Sequence, residues 1–134
     1  VLQRSDTGAD FSFALDRTST SGRVVLRPKW RTGRRFELAR LLGDRIAAES
    51  REPLLPATRA YTYRQKLQRA FAAELLCPLD ALNKQLDGDY SRDSIENAAE
   101  YFDVSPLTVQ TLLVNNRLLP REDIEGEFEL PASA

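Results

Sequence analysis

The first regular signal in the chain is an alternation. Phe11, Phe13 and Leu15 are separated by the small residues Ser12 and Ala14, the period-two pattern of a strand buried on one face. Thr18-Ser19-Thr20-Ser21-Gly22 forms a polar turn cluster,, and Val24-Val25-Leu26 follows as a short β-branched run. Residues 11–27 therefore predict a hairpin or two neighbouring strands, closed by Pro28, which has no N–H to offer a ladder,.

The rhythm then becomes helical. With Thr32 as the expected N-cap, Phe36, Ala39, Leu42 and Ile46 fall on one face and Leu38 and Leu41 lie beside them,. Pro53 and Pro56 predict a linker over 51–59, because no helix crosses two such residues intact,. A second helix is expected over Tyr63–Leu76, with Leu67, Ala70, Phe71, Glu74 and Leu75 in the i, i+3, i+4 pattern and Pro78 beyond its end,. A short third helix is expected near 78–86, ended by the turn Asp87-Gly88-Asp89,. Ser91 then caps Arg92–Phe102, with Ile95, Ala98, Ala99 and Phe102 as its apolar face. Ser105 caps a last helix that starts at Pro106, where proline is favoured, and ends near Asn115-Asn116,. The acidic stretch 121–134 has few apolar anchors and is expected to fray,. This order predicts an α+β fold: a small sheet or hairpin packed on a long helix, then a helical bundle with a helix-turn-helix-like pair.

Composition narrows the class. The chain has 134 residues, 42% hydrophobic and 29% charged, with one cysteine, no methionine and no histidine. No apolar run approaches the roughly 20 residues of a membrane span, and one cysteine excludes an internal disulfide, so the cytoplasm is the expected location. A sequence that starts at Val1 without methionine reads as processed or as a fragment of something longer, which leaves room for a missing neighbouring domain. Net charge is −1, but residues 1–78 carry 15 Lys+Arg against 8 Asp+Glu, and residues 79–134 carry 4 against 12. Such asymmetry fits either a nucleic-acid surface joined to an acidic tail or two ends of one domain attracting each other.

Three stretches carry a more specific signal. They are Arg34-Arg35-Phe36-Glu37-Leu38-Ala39-Arg40-Leu41-Leu42-Gly43-Asp44 after the Val24-Val25-Leu26 strand, Arg69-Ala70-Phe71-Ala72-Ala73-Glu74-Leu75-Leu76-Cys77-Pro78, and Ile95-Glu96-Asn97-Ala98-Ala99-Glu100-Tyr101-Phe102-Asp103-Val104-Ser105-Pro106. Together, over roughly residues 11–119, they resemble the ImmA/IrrE family of metallopeptidases, whose patterns are R-R-F-x-L-A-H-E-x-G-H, N-x-F-A-A-x-L-L-M-P and L-A-x-x-F-x-V-S. The resemblance implies a zincin-like long helix with two zinc ligands at i and i+4 and a glutamate base between them. A carboxylate on the next helix completes such a site. Carried over by position, the first histidine falls on Arg40, the base on Leu41 and the second histidine on Asp44. The third ligand falls near Gln65 or Leu67, depending on register.

These positions are vacated together. Arg40 is a permanent cation, Leu41 accepts no proton, and Asp44 is one ligand where catalytic zinc takes about three from the protein. No catalytic residue, metal or cofactor is expected, and the domain reads as a degenerate ImmA/IrrE-like domain over 1–120. Within it, 11–78 supplies the strands and two core helices, and 79–120 a helical subregion. In place of metal, Glu37, Arg40 and Asp44 are spaced for ion pairing along one helical face, either as cement between strand and helices or as an ordinary solvated pair.

Three other features bear on function. The Val104–Asn116 helix with its predecessor has helix-turn-helix spacing, but its second helix carries no Lys or Arg before Arg117 and its half of the chain is acidic,. Arg23, Arg27, Lys29, Trp30, Arg31, Arg34 and Arg35 make a cationic run able to hold an anion, nucleic acid or an acidic partner, although such runs are usually solvated surface,. Cys77 reads as a small buried hydrophobe. The leading expectation is a non-catalytic interaction or sensor module of a prokaryotic regulator, with a protein or peptide partner. A homodimer stays open, as does the effector half of a transcription factor whose DNA-binding domain lies upstream of Val1. A hydrolase with repurposed chemistry ranks lowest, since no paired acid and base is visible.

Overall fold

A computed structural model describes residues 2–4, 11–18, 21–47 and 54–125. The chain is α+β and divides into two compact units, Val1–Leu76 and Cys77–Ala134.

In the first unit the expected hairpin is present. Strand β2 (Ser12–Thr18) runs antiparallel to β3 (Ser21–Leu26), with Phe13 opposite Val25 and Leu15 opposite Arg23. Residues 19 and 20 of the expected turn lie outside the described residues. Two further strands flank the hairpin. β1 (Leu2–Arg4) pairs parallel with β3, and β4 (Leu54–Ala57) pairs antiparallel with β2, giving the order β1-β3-β2-β4. β4 corrects the expectation of a linker over 51–59. Proline is tolerated there because β4 is an edge strand: Pro56 stands opposite Phe13 and needs to donate to no neighbour,. The apolar cluster of this unit is Leu26, Leu41, Leu55 and Ala57, with Ala14 and Val24 packed against it. Ser12, also buried, accepts the Arg27 N–H at 2.8 Å.

Helix α1 (Arg31–Ala47) begins one residue before the expected cap. Thr32 therefore lies inside the first turn, and the Trp30 carbonyl accepts the Arg34 N–H at 3.0 Å. Its burial also departs from the apolar pattern. Ala39, Arg40, Leu41, Gly43 and Asp44 are buried, whereas Leu38, Leu42 and Ile46 are exposed. Helix α2 (Tyr63–Leu76) repeats this inversion: Gln65, Gln68 and Ala72 are buried, and Leu67, Ala70 and Leu75 face outward. The physical reason is β4. The inner sides of α1 and α2 meet a strand edge whose backbone groups need polar partners, so polar side chains turn in beside Ala39, Leu41 and Ala72 while Leu38, Leu42, Ile46, Leu67 and Leu75 turn out,. The helices approach closely at Gly43, where an added Cβ would stand 2.5 Å from Cδ1 and 2.7 Å from Cγ of Phe71.

The second unit follows local rules closely. It comprises α3 (Leu79–Leu86), α4 (Arg92–Phe102), α5 (Pro106–Asn115) and the short α6 (Glu122–Glu125). Ser91 and Ser105 cap α4 and α5 as expected, accepting the N–H groups of Ser94 and Thr108, each at 3.3 Å,. Asp87 and Asp103 end α3 and α4 in the left-handed region, at φ 48° and 53°. Asp89 accepts from the Ser94 hydroxyl and the Ser91 N–H, which hold its carboxyl below the usual aspartate value. Leu82, Leu86, Ile95, Ala98, Ala99, Val104, Val109, Leu112 and Leu113 are buried, as is Cys77. α6 supplies order at the start of the stretch expected to fray, and residues 126–134 lie outside the described residues. No helix among the described residues is long and apolar enough to cross a membrane.

Candidate functional site

Helical spacing places Arg40 and Asp44 one turn apart on the buried side of α1, and Gln65 and Gln68 one turn apart on the buried side of α2,. The edge of β4 and the residue just beyond it, Thr58, lie between them. Gln65 is the hub. Its Nε2 donates to the Pro56 carbonyl at 3.0 Å, and its Oε1 accepts the Thr58 N–H at 2.8 Å. A carbonyl and an N–H two residues apart on an edge are the groups a neighbouring strand would engage. The Gln65 carboxamide thus takes the place of a strand neighbour, and only one of its two flip states satisfies both bonds.

Arg40 completes this junction. Its Nη2 donates to Gln65 Oε1 at 2.6 Å and to the Thr58 carbonyl at 2.5 Å. The Thr58 carbonyl also accepts from Arg69 Nη2 at 3.3 Å, and Arg69 reaches the Ala60 carbonyl at 2.6 Å. Arg40 is only 4% exposed. Burial lowers its pKa from the ordinary arginine value; Glu37 opposes the shift, Arg69 adds to it and Asp44 opposes it least,. The ion pair with Glu37 is loose, at 3.9 Å. Three buried atoms here, Glu37 Oε2, Arg40 Nε and Gln68 Oε1, have no hydrogen-bond partner among the described residues.

Asp44 corrects the expected pairing along α1. Its two oxygens accept from Arg64, Nε to Oδ1 and Nη2 to Oδ2, each at 2.8 Å, a bidentate pair of the strong kind. Arg40 feels Asp44 only through space. The cement expected between strand and helices is therefore built differently: Arg40 ties α1 to Thr58 and Gln65, and Asp44 ties α1 to α2 through Arg64.

Of the other positions that the resemblance assigns, Leu41 is part of the apolar cluster and Leu67 is exposed on the outer side of α2. Gln65, not Leu67, is thus the α2 residue that meets Arg40. The zinc that the family resemblance implies does not fit these residues. The ligand positions hold a guanidinium, a carboxylate engaged at both oxygens and a carboxamide engaged at both ends, with leucine at the base position. Among the described residues no group of three His, Cys, Asp or Glu is placed to hold a metal ion.

The cationic run lies along the end of β3 and the start of α1. Arg23, Arg27, Lys29, Trp30 and Arg31 are exposed, and Arg34 and Arg35 are half-buried. Sequence reasoning did not anticipate Arg64, Gln68, Thr58 or Arg69 in the site. Gln68 had a signal, since it lies one turn from Gln65. Arg64 and Thr58 had none, because the α1 residues they meet, Asp44 and Arg40, are 20 and 18 residues away in sequence. No protein-family model matches the chain, and no curated protein matches it.

Proposed function

We propose that this chain is a non-catalytic relative of the ImmA/IrrE peptidases that works as an interaction or sensor module in a cytoplasmic regulatory protein of a prokaryote. The observation that carries this reading is the convergence of Arg40, Asp44 and Gln65, the three positions to which the resemblance assigns metal ligands, in one buried junction. Each now makes hydrogen bonds that hold helix to helix or helix to strand. A peptidase of this kind needs a Lewis acid and a base at these positions, and the residues present supply structure instead.

The test is metal binding. Purified protein incubated with equimolar zinc, then desalted, is expected to retain far less than one zinc per chain by elemental analysis, and to cleave no peptide when zinc is added back. Stoichiometric zinc bound with an affinity lost on Asp44→Ala would overturn the reading.

A further inference from the structure

The passage from β4 into α2 carries aromatic rings and positive charge together. From Leu54 to Ala73 the chain holds Arg59, Arg64, Lys66 and Arg69 and no Asp or Glu. Tyr61 and Tyr63 stand among them, each 82% exposed, although a tyrosine ordinarily buries its ring and leaves only its hydroxyl wet. Tyr61 is nevertheless held in place. The Arg69 guanidinium lies over its ring, 5.5 Å from the centroid, within cation–π range, and is itself fixed by the Thr58 and Ala60 carbonyls. One face of the ring is thus backed by a cation, and the other is open. The charge here is largely uncancelled. Asp44 engages Arg64, but Arg69 bonds to neutral carbonyls and keeps its charge. Arg59 and Lys66, both exposed, make no ion pair among the described residues. Lys66 lies one turn from Tyr63 on the exposed side of α2,.

We propose that this surface binds single-stranded nucleic acid, with unpaired bases stacked on Tyr61 and Tyr63 and phosphates set against Arg59, Lys66 and Arg69. The pairing of rings with cations decides the occupant. A duplex keeps its base faces inside the stack, so it would meet the cations and leave the rings unused. An acidic peptide would also pair with the cations, but it brings no flat surface to the rings. A single strand offers a π-face and a phosphate at every step and uses both at once. Because Arg69 already holds Tyr61, little side-chain freedom is lost on binding. Stacking and phosphate contacts read no base edge, so no sequence preference is expected. The inference goes beyond the pseudopeptidase reading and uses none of the positions to which the resemblance assigns metal ligands: retained zinc would sink that reading and leave this one standing.

The experiment titrates the full chain into fluorescein-labelled oligo(dT) and oligo(U) of about 20 nucleotides and follows anisotropy at about 50 mM salt, where phosphate contacts are strong. Saturable binding of at least one strand is expected. It should weaken at least tenfold in Tyr61→Ala/Tyr63→Ala and persist in Tyr61→Phe, which keeps the ring. Three phosphate contacts predict a slope of about −2 for log affinity against log salt, reduced to about −0.7 in Arg59→Gln/Lys66→Gln. All these substitutions fall at exposed positions, and an unchanged circular dichroism spectrum and melting curve verify that each variant is folded. The proposal is overturned if neither strand binds at about 100 μM protein, well above the affinity that two stacked bases and three phosphates supply. It is overturned too if a duplex of the same length binds as tightly, or if Tyr61→Ala/Tyr63→Ala binds as well as the parent. Displacement of the strand by poly-glutamate or phosphatidylglycerol vesicles at equal charge as effectively as by unlabelled strand would reduce the surface to charge alone and sink the proposal.

Discussion

Replacing Gln65 by leucine isolates the strand-like role of its carboxamide. Leucine is of similar size and suits a buried position, so the change removes hydrogen bonds with little change of volume. Three bonds are lost: to the Pro56 carbonyl, from the Thr58 N–H and from Arg40. The Pro56 carbonyl keeps Gln68 Nε2 at 3.0 Å, and Arg40 keeps the Thr58 carbonyl. The Thr58 N–H keeps no side-chain acceptor. Two neutral bonds at about 1 kcal/mol each and one charged bond at about 2 kcal/mol, less about 1 kcal/mol for the better burial of leucine, give a loss of about 3 kcal/mol. With a urea m-value of about 2 kcal/mol per molar, the midpoint falls by about 1.5 M. Gln68→Leu is the internal control. Its Nε2 duplicates a bond that Gln65 already makes, and its Oε1 has no partner among the described residues, so that variant should stay within about 1 kcal/mol of the parent. Urea unfolding followed by far-UV circular dichroism measures both, and amide exchange at Thr58 should quicken in Gln65→Leu alone. Equal losses in the two variants, or a loss below about 1 kcal/mol for Gln65→Leu, would refute the strand-like role.

Two further changes test the frame around it. Arg40→Ala is expected to lower stability by about 2 kcal/mol in the same assay, the loss of two charge-assisted bonds being partly offset by relief of a buried charge. A loss under about 0.5 kcal/mol, the scale of surface substitutions, would reduce Arg40 to a solvated ion pair. Gly43→Ala gains about 1 kcal/mol of helix propensity, but the contacts of 2.5 and 2.7 Å with the Phe71 ring cost about 2–3 kcal/mol. A net loss of about 1–2 kcal/mol is expected, smaller when Phe71→Leu is added; a stabilised Gly43→Ala would show that the helices part without strain.

The legibility of this chain in its sequence follows the range of the forces involved. Ser91, Ser105 and Pro106 announce α4 and α5 because capping acts over three residues, and the β2–β3 hairpin is announced by alternation. β4 was hidden because two prolines lower its local propensity, and its order comes from pairing with β2 and from side chains of α1 and α2. The buried faces of α1 and α2 escape the apolar pattern for the same reason. Hydrophobic periodicity assumes that a helix buries its apolar side, whereas these helices bury Arg40, Gln65 and Gln68 at a strand edge and Asp44 against Arg64. The site positions Arg40, Leu41, Asp44 and Gln65 were identifiable through the family resemblance alone. Their partners were not, since Asp44–Arg64 and Arg40–Thr58 are contacts made by the fold.

The buried junction also bears on the history open to this chain. A histidine at position 40 alone would remove the guanidinium that Thr58 and Gln65 share. A histidine at 44 alone would remove the carboxylate that Arg64 engages at both oxygens, and a carboxylate at 65 alone would lose the donor that faces Pro56. Each single step toward a metal site would weaken the fold before any ion could compensate, so such a site could arise only by concerted change at several positions. Selection acting one substitution at a time would keep the junction as it is, and any new role would evolve outside it.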